Sequence, residues 1–341
     1  MLHGHGDDAY RYKQEIIADF STNVWYGGEP AGLKEHIFNH WHVLNKYPEV
    51  QAESLSNKIS QHYQLHPSNI LITNGTTESI YLIAQAYNKS VTTIVGPTFA
   101  EYEDACRMHH HKIEFYDEDL IMPHMPVNDG LFFICNPNNP TGNLFPQREL
   151  EALIEANPET LFVIDEAFIE FTTEAVSCIS LVNTCENVII LRSLTKAFAI
   201  PGLRLGYIVA HEEVINKLLP FKMPWSVNAF AIAAGHYIFD NFSNIHLPLE
   251  QIFSDKEQFV HKLKKTGFDV ADSFTHFFLA KIPFGTAQEL KKYLIEHHRI
   301  LIRDASNFKG MNKQIIRLAT LAKDKNELLI HALNEWIKLY S

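Results

Sequence analysis

Cysteine is scarce: the 341 residues hold only Cys106, Cys135, Cys178 and Cys185, at no framework spacing. That argues against a disulfide-stapled secreted domain and for reduced thiols in a reducing compartment. No apolar run approaches the ~20 residues that span a bilayer. The first eight residues, Met1 to Asp8, lack a basic stretch followed by an apolar one, so no signal peptide is expected, and a cytoplasmic location follows as an expectation. Positive charge is short as well: 29 Lys and Arg face 40 Asp and Glu, for a formal net charge of -11. This argues against nucleic acid as the main partner and against a basic patch for membrane surfaces. It leaves room for a local cluster of arginines that binds a small anion. Internal repeats, low-complexity tracts and long linkers are absent too.

Histidine is plentiful, with 19 residues, and invites a metal reading. The runs His109-His110-His111 and His297-His298 place adjacent side chains in different directions on a helix, and neither HExxH nor CxxC occurs. No metal site is expected, and these histidines are read as solvated.

Apolar residues make up 46% of the chain and charged residues 20%, enough for one large domain and a smaller one. Residues 46–240 are expected to form the large domain, and 1–45 together with 241–341 the small one. The middle of the chain alternates short apolar runs with helical segments. Strands are expected at 70–73, 91–95, 112–116, 131–135, 161–164 and 188–191, and helices at 78–87, 99–108 and 147–155. Such runs, apolar without alternation, fit an α/β fold whose mostly parallel sheet is covered on both faces. After residue 241 the pattern becomes α+β, with helices at 254–265, 287–298 and 325–339 around strands at 277–282, 300–303 and 314–319.

Several apolar strands run straight into polar or glycine residues: Asn74-Gly75-Thr76-Thr77, Asn136 to Gly142, Asp165-Glu166, and Ser193 to Lys196. In open α/β sheets ligands bind at the carboxyl ends of the strands, so these segments are expected to converge on one crevice. A lysine just past a buried strand loses solvation, which lowers its pKa and makes it a nucleophile toward an aldehyde. Ser193, Thr195 and Arg204 nearby suit a phosphate. Asp165 ends an apolar strand, where a carboxylate is costly without a cationic partner; a helix cap is the alternative. Gly75 to Glu78 opens a helix whose free N–H groups suit a phosphate, or else an ordinary threonine cap. Asn136 to Gly142 is a rigid turn in which Asn139 is a candidate donor.

In order along the chain stand KYPE (Lys46 to Glu49), NGTTES (Asn74 to Ser79), GPTFAEY (Gly96 to Tyr102), NPNNPTG, DEAF (Asp165 to Phe168) and SLTKAFAIPGLRLGY. The series, from about His3 to Arg317, resembles the fold type I enzymes of pyridoxal 5'-phosphate (PLP), the class I/II aminotransferase family. The resemblance implies a large PLP-binding domain and a smaller α+β domain. It makes Lys196 the covalent attachment point and later proton shuttle, and Asp165 the partner of the pyridinium nitrogen. Asn139 becomes the donor to the phenolic oxygen, and Tyr102 the aromatic that stacks on the ring. Thr76, Thr77, Ser193, Thr195 and Arg204 become the phosphate cradle. Tyr47 would reach the phosphate of a neighbouring subunit, which implies a homodimer, and Arg317 would clamp a substrate carboxylate. Many relatives carry tyrosine where Phe168 stands, so Asn139 would serve the phenolic oxygen alone.

Within the family, DFSTN (Asp19 to Asn23), MPWSVN (Met223 to Asn228) and ILIR (Ile300 to Arg303) are most similar to threonine-phosphate decarboxylases of cobalamin synthesis. By that likeness His3, Asn23, Arg303 and Arg317, with Asn139, would hold the phosphate and carboxylate of a phosphorylated amino acid. MPWSVN has a plainer reading too, as the start of a helix with Trp225 packing. The N-terminal HGHGDD departs from the HGGN of those relatives. A histidinol-phosphate aminotransferase using 2-oxoglutarate is the alternative, and a non-catalytic binding protein of the same fold a third.

Overall fold

The apolar runs form strands because each is too short for a helix and is buried on both sides. The computed structural model describes residues 6–339. The chain opens with β1 (Ala18–Asp19), α1 (Leu33–Asn39) and α2 (Glu53–Tyr63). Then follow β2 (Ile70–Thr73), α3 (Gly75–Ala86), β3 (Val91–Gly96), α4 (Glu101–Met108), β4 (Lys112–Asp117) and β5 (Gly130–Cys135). Next come α5 (Gln147–Glu155), β6 (Thr160–Asp165), β7 (Val188–Ser193), β8 (Gly206–Ala210), α6 (Glu212–Leu218) and α7 (Ala229–Asp240). The last third holds α8 (Leu249–Lys265), β9 (Asp269–Val270), β10 (Phe277–Lys281), α9 (Ala287–Tyr293), β11 (Ile300–Leu301), β12 (Arg303–Asp304), β13 (Ile315–Ala319) and α10 (Lys323–Lys338).

Seven strands make the main sheet in the order β2-β8-β7-β6-β5-β3-β4. All neighbours pair in parallel except β8, which runs antiparallel to both β2 and β7. Two antiparallel steps return β2 to the direction of β7, so the carboxyl ends of β2, β5, β6 and β7 share one edge. Side chains alternate between two apolar cores. Phe132, Ile134, Phe162 and Ile164 enter one, and Leu131, Phe133, Leu161 and Val163 the other. This is the burial that unbroken apolar runs require. The expected helix at 287–298 is shorter than the pattern suggests: α9 ends at Tyr293, and a π turn over Leu294–His298 closes at Arg299 with φ 56°.

A second, antiparallel sheet of order β12-β13-β10-β9 carries α8, α9 and α10. β1 joins this unit by pairing in parallel with β11. Ala18 and Phe20 lie in its core, whereas Leu33 lies in the core of the main sheet. The chain therefore crosses between the units before residue 33, earlier than the expected boundary at 45, because α1 packs on α7. The return comes after Leu247, which still packs on the main core, rather than at 240.

Candidate active site

The convergence expected from the strand ends is present. A cleft of about 370 Å³ is lined by Thr76, Thr77, Tyr102, Asn139, Asp165, Thr195, Lys196 and Arg204 from the main sheet, and by Asn23, Arg303 and Arg317 from the second unit. It lies where the two units meet, beyond the carboxyl ends of the strands.

Lys196 stands three residues past β7, half-buried. Its carbonyl accepts the amide of Trp25 at 2.9 Å, which ties the N-terminal segment to the loop that carries Lys196. Burial, helped by the positive charges of Arg317 and Arg204, brings its pKa down to about 8, against the pull of Asp7 and Asp165. Asp165 is buried at the end of β6. One carboxylate oxygen accepts the Tyr102 hydroxyl at 2.7 Å and the other the Ala167 amide at 3.0 Å. Burial pushes its pKa up, while those two donors and Lys196 oppose the rise. A buried carboxylate with no ion-pair partner among the described residues suits a cationic ring nitrogen. Tyr102 is fully buried and stacks on Phe133, ring centroids 5.1 Å apart. The sequence pattern did not reveal its bond to Asp165. Phe168 lines the cleft, with its ring edge-on to Phe277.

The residues expected to cradle a phosphate come from two chain segments. Thr76 and Thr77 occupy the first turn of the 12-residue α3. Neither they nor Asn74 makes a side-chain cap on this helix, so its first amides stay open to an anion. Arg204 has φ 59° and reaches so close to Gly75 that a Cβ there would lie 2.4 Å from its Nη2. Among the described residues it donates one hydrogen bond, to the Pro201 carbonyl at 3.2 Å. Ser193 and Thr195 bond each other through their hydroxyls at 2.7 Å. A lysine of lowered pKa, a buried acid and an open, arginine-flanked helix start together fit PLP.

The opposite wall carries two arginines. Arg303 on β12 is the cross-strand partner of Arg317 on β13, and both are buried. Arg317 donates to the Asn139 carbonyl oxygen and, at 2.5 Å, to the Ser21 backbone carbonyl. Burial foremost, and then Arg303, lower its pKa to about 9. Arg303 donates to Asn307 at 2.8 Å. Asn23 is buried, and neither atom of its amide has a partner. Among the cleft residues unforeseen from the sequence are Asp7, Glu101 and Asn307. Asn307 lies four residues past Arg303, in the loop after β12; Asp7 arrives because Lys291 grips its neighbour Asp8 at 2.9 Å.

Four expectations fall elsewhere. Ser193 does not line the cleft: it is buried behind Thr195, with which it shares a hydroxyl bond. His3 lies outside the described residues. Tyr47 is 85% exposed, apart from the cleft, against Trp225. MPWSVN also lies off the cleft: Asn228 caps α7 through the Ala231 amide at 2.9 Å, which is the plainer reading of that segment. Of the histidine runs, His111 is a correction. It is buried, between the Thr92 hydroxyl at 2.7 Å and the Ala84 carbonyl at 2.8 Å, because it faces β3 and α3 rather than water. Among the described residues no three His, Cys, Asp or Glu are arranged to hold a metal ion, and no helix is long and apolar enough to cross a membrane.

The crystal structure of L-threonine-O-3-phosphate decarboxylase from Porphyromonas gingivalis is similar to this chain, with a TM-score of 0.91 and 37% identity over 94% of this chain and 100% of that one. Threonine-phosphate decarboxylase of Salmonella typhimurium is 30% identical over 331 residues, 93% of this chain and 90% of that protein. Histidinol-phosphate aminotransferase of Caldanaerobacter subterraneus subsp. tengcongensis is 30% identical over 308 residues, 86% of this chain and 84% of that protein. Residues 16–334 match the family of class I and II aminotransferases, and with a lysine, an acid and an anion cradle set at the strand ends as that family's chemistry requires, the chain belongs to it.

Proposed function

We propose that this chain is a PLP-dependent decarboxylase of a phosphorylated amino acid, with O-phosphothreonine as substrate and aminopropanol phosphate and carbon dioxide as products. The observation that carries this reading is the pair Arg303 and Arg317, buried side by side on neighbouring strands opposite Lys196. Two guanidinium groups in one cleft suit one small molecule bearing two anionic groups. O-phosphothreonine has a phosphate and a carboxylate; histidinol phosphate has the phosphate alone. Arg204, across the cleft, serves the cofactor's own phosphate.

When bound, PLP supplies an electron sink for a bond at the substrate's α-carbon. Asp165 would hold the ring nitrogen protonated, and Asn139 and Tyr102 would hold the ring. Arg317 and Asn139 orient the carboxylate, while Arg303 and Asn23 take the phosphate. With both anionic ends fixed, these side chains would decide which bond at the α-carbon the bound cofactor activates. Lys196 is at hand to return a proton to that carbon, and an amine of pKa about 8 exchanges protons readily near neutrality.

The enzyme acts as a homodimer in which Tyr47 reaches the partner's cofactor phosphate; the support is an exposed aromatic surface of Phe38, Trp41, Tyr47 and Trp225. A cytoplasmic location is supported by four buried, unpaired cysteines. Holoenzyme given O-phosphothreonine is expected to release carbon dioxide and aminopropanol phosphate. Glutamate formed from histidinol phosphate and 2-oxoglutarate, with no carbon dioxide in the first assay, would instead establish the transaminase.

A further inference from the structure

Behind the arginine wall lies a group of buried polar atoms that the proposed chemistry does not use. His276 precedes β10 and is 1% exposed; the Asn23 backbone is the ring's one polar contact among the described residues, and neither ring nitrogen makes a well-formed hydrogen bond. Its ring stacks on Phe171 at 3.8 Å. Its carbonyl accepts the amide of Thr320 at 2.7 Å, one step past the pairing of Phe277 with Ala319. The Thr320 hydroxyl is likewise buried and unpartnered, as are Nε of Arg317 and both amide atoms of Asn23. The Asn23 backbone faces the His276 ring. These four side chains, on segments that the His276–Thr320 backbone bond and the Asn23–His276 contact bring together, keep unmatched donors or acceptors inside the protein, where each would cost free energy if left so.

His276 is held neutral. Burial first, then the charges of Arg317, Lys256 and Lys196, bring its pKa down to about 3, against a smaller opposing pull from the Asn23 backbone. A neutral imidazole offers one donor and one acceptor. The Arg317 Nε–H and the Thr320 hydroxyl supply donors, and the Asn23 amide supplies both kinds. One water, with two donors and two acceptors, matches such a set. The surrounding frame is rigid. Lys256 donates to the carbonyls of Ser273 and Thr275 at 2.6 and 2.8 Å. The loop that carries Asn139 docks on the same segment through the Phe274 amide and the Gly142 carbonyl, at 2.9 Å.

We propose that His276 and Thr320, outside the cleft wall, are positioning residues for the substrate's anionic groups, holding Asn23 and Arg317 from behind through a shared buried water. This deepens the reading of the cleft as a site for a doubly anionic substrate, and rests on it. The water sets the rotamer of Asn23 and the plane of the Arg317 guanidinium, so its loss loosens anion binding without touching Lys196 or Asp165.

The test uses holoenzyme variants and two readouts. His276→Phe keeps the stack on Phe171 and removes both nitrogens; Thr320→Val removes the hydroxyl at constant volume; His276→Asn restores a donor and an acceptor. Expected for the first two is a KM for O-phosphothreonine raised about tenfold, one charge-assisted hydrogen bond's worth, with kcat within about threefold and thermal midpoint and cofactor spectrum retained. His276→Asn recovers most of the loss. Inorganic phosphate, titrated against the cofactor absorbance, is expected to weaken in parallel, and this arm holds even if O-phosphothreonine is not the substrate. Phosphate affinity and KM unchanged in both His276→Phe and Thr320→Val would overturn the proposal. So would losses that only follow a fallen thermal midpoint, or a His276→Asn no better than His276→Phe.

Discussion

At the scale of single residues, function here rests on groups displaced from their ordinary ionisation. Lys196 is the clearest case: removing it from water penalises the ammonium, and two nearby guanidinium groups add to that penalty. The neutral amine is the nucleophile, so reactivity rises with pH until the lysine is deprotonated. In cofactor-free protein the rate of covalent PLP capture should climb tenfold per pH unit and level off near pH 8, not near the ordinary 10.5. Because Arg317 lowers this pKa, Arg317→Gln should move the plateau upward; stopped-flow absorbance across a pH series reads both. Lys196 and Asp165 were legible in the sequence because each is a charged residue placed where an apolar strand stops. The bond between Tyr102 and Asp165 was not, since it joins positions 63 residues apart.

At the scale of elements, the decisive piece is the turn from β2 into α3. Gly75 has φ 74°, and Arg204 lies against the space a side chain would fill. An alanine there meets two penalties, a left-handed backbone and a displaced guanidinium. Gly75→Ala is expected to cost about 1–2 kcal/mol of stability and to weaken PLP binding by at least about tenfold. Chemical denaturation and a spectral titration measure the two separately; PLP affinity unchanged in a folded variant would remove Arg204 and the α3 start from the phosphate site. NGTTES announced this turn, though the helix begins at Gly75 rather than Glu78. The strand β8 stayed hidden because Gly206 to Ala210 continues a motif read for its lysine and arginine. Pattern alone does not tell that it slots antiparallel between β2 and β7.

At the scale of the whole molecule, an acidic chain gathers four basic side chains in one cleft, beside Asp7, Glu101 and Asp165. The net charge is -11, yet Lys196, Arg204, Arg303 and Arg317 share one cavity. Low-dielectric walls focus such a field on small anions. The exposed Tyr47 extends the site beyond one subunit in the proposed dimer. Complementation tests this: mixed Tyr47→Ala and Lys196→Ala subunits, each inactive alone, should regain about one quarter of the wild-type activity. Half of the dimers are then mixed, with one intact site of two. No recovery, in a protein that elutes at twice 39.1 kDa, would show that Tyr47 serves its own subunit.

The sequence alone determined the α/β layout, most of the main-sheet strands along the chain and the polar segments at their ends. These are local facts: an apolar run of strand length, and a polar residue at its end. Tertiary structure alone decided that α1 belongs with the main sheet, that Asp7 and Asn307 enter the cleft, that MPWSVN stays out of it, and that Arg303 faces Arg317. The physical reason is that each depends on contacts between residues far apart in the chain, where burial and pairing are set by the packed neighbours rather than by the residues beside them.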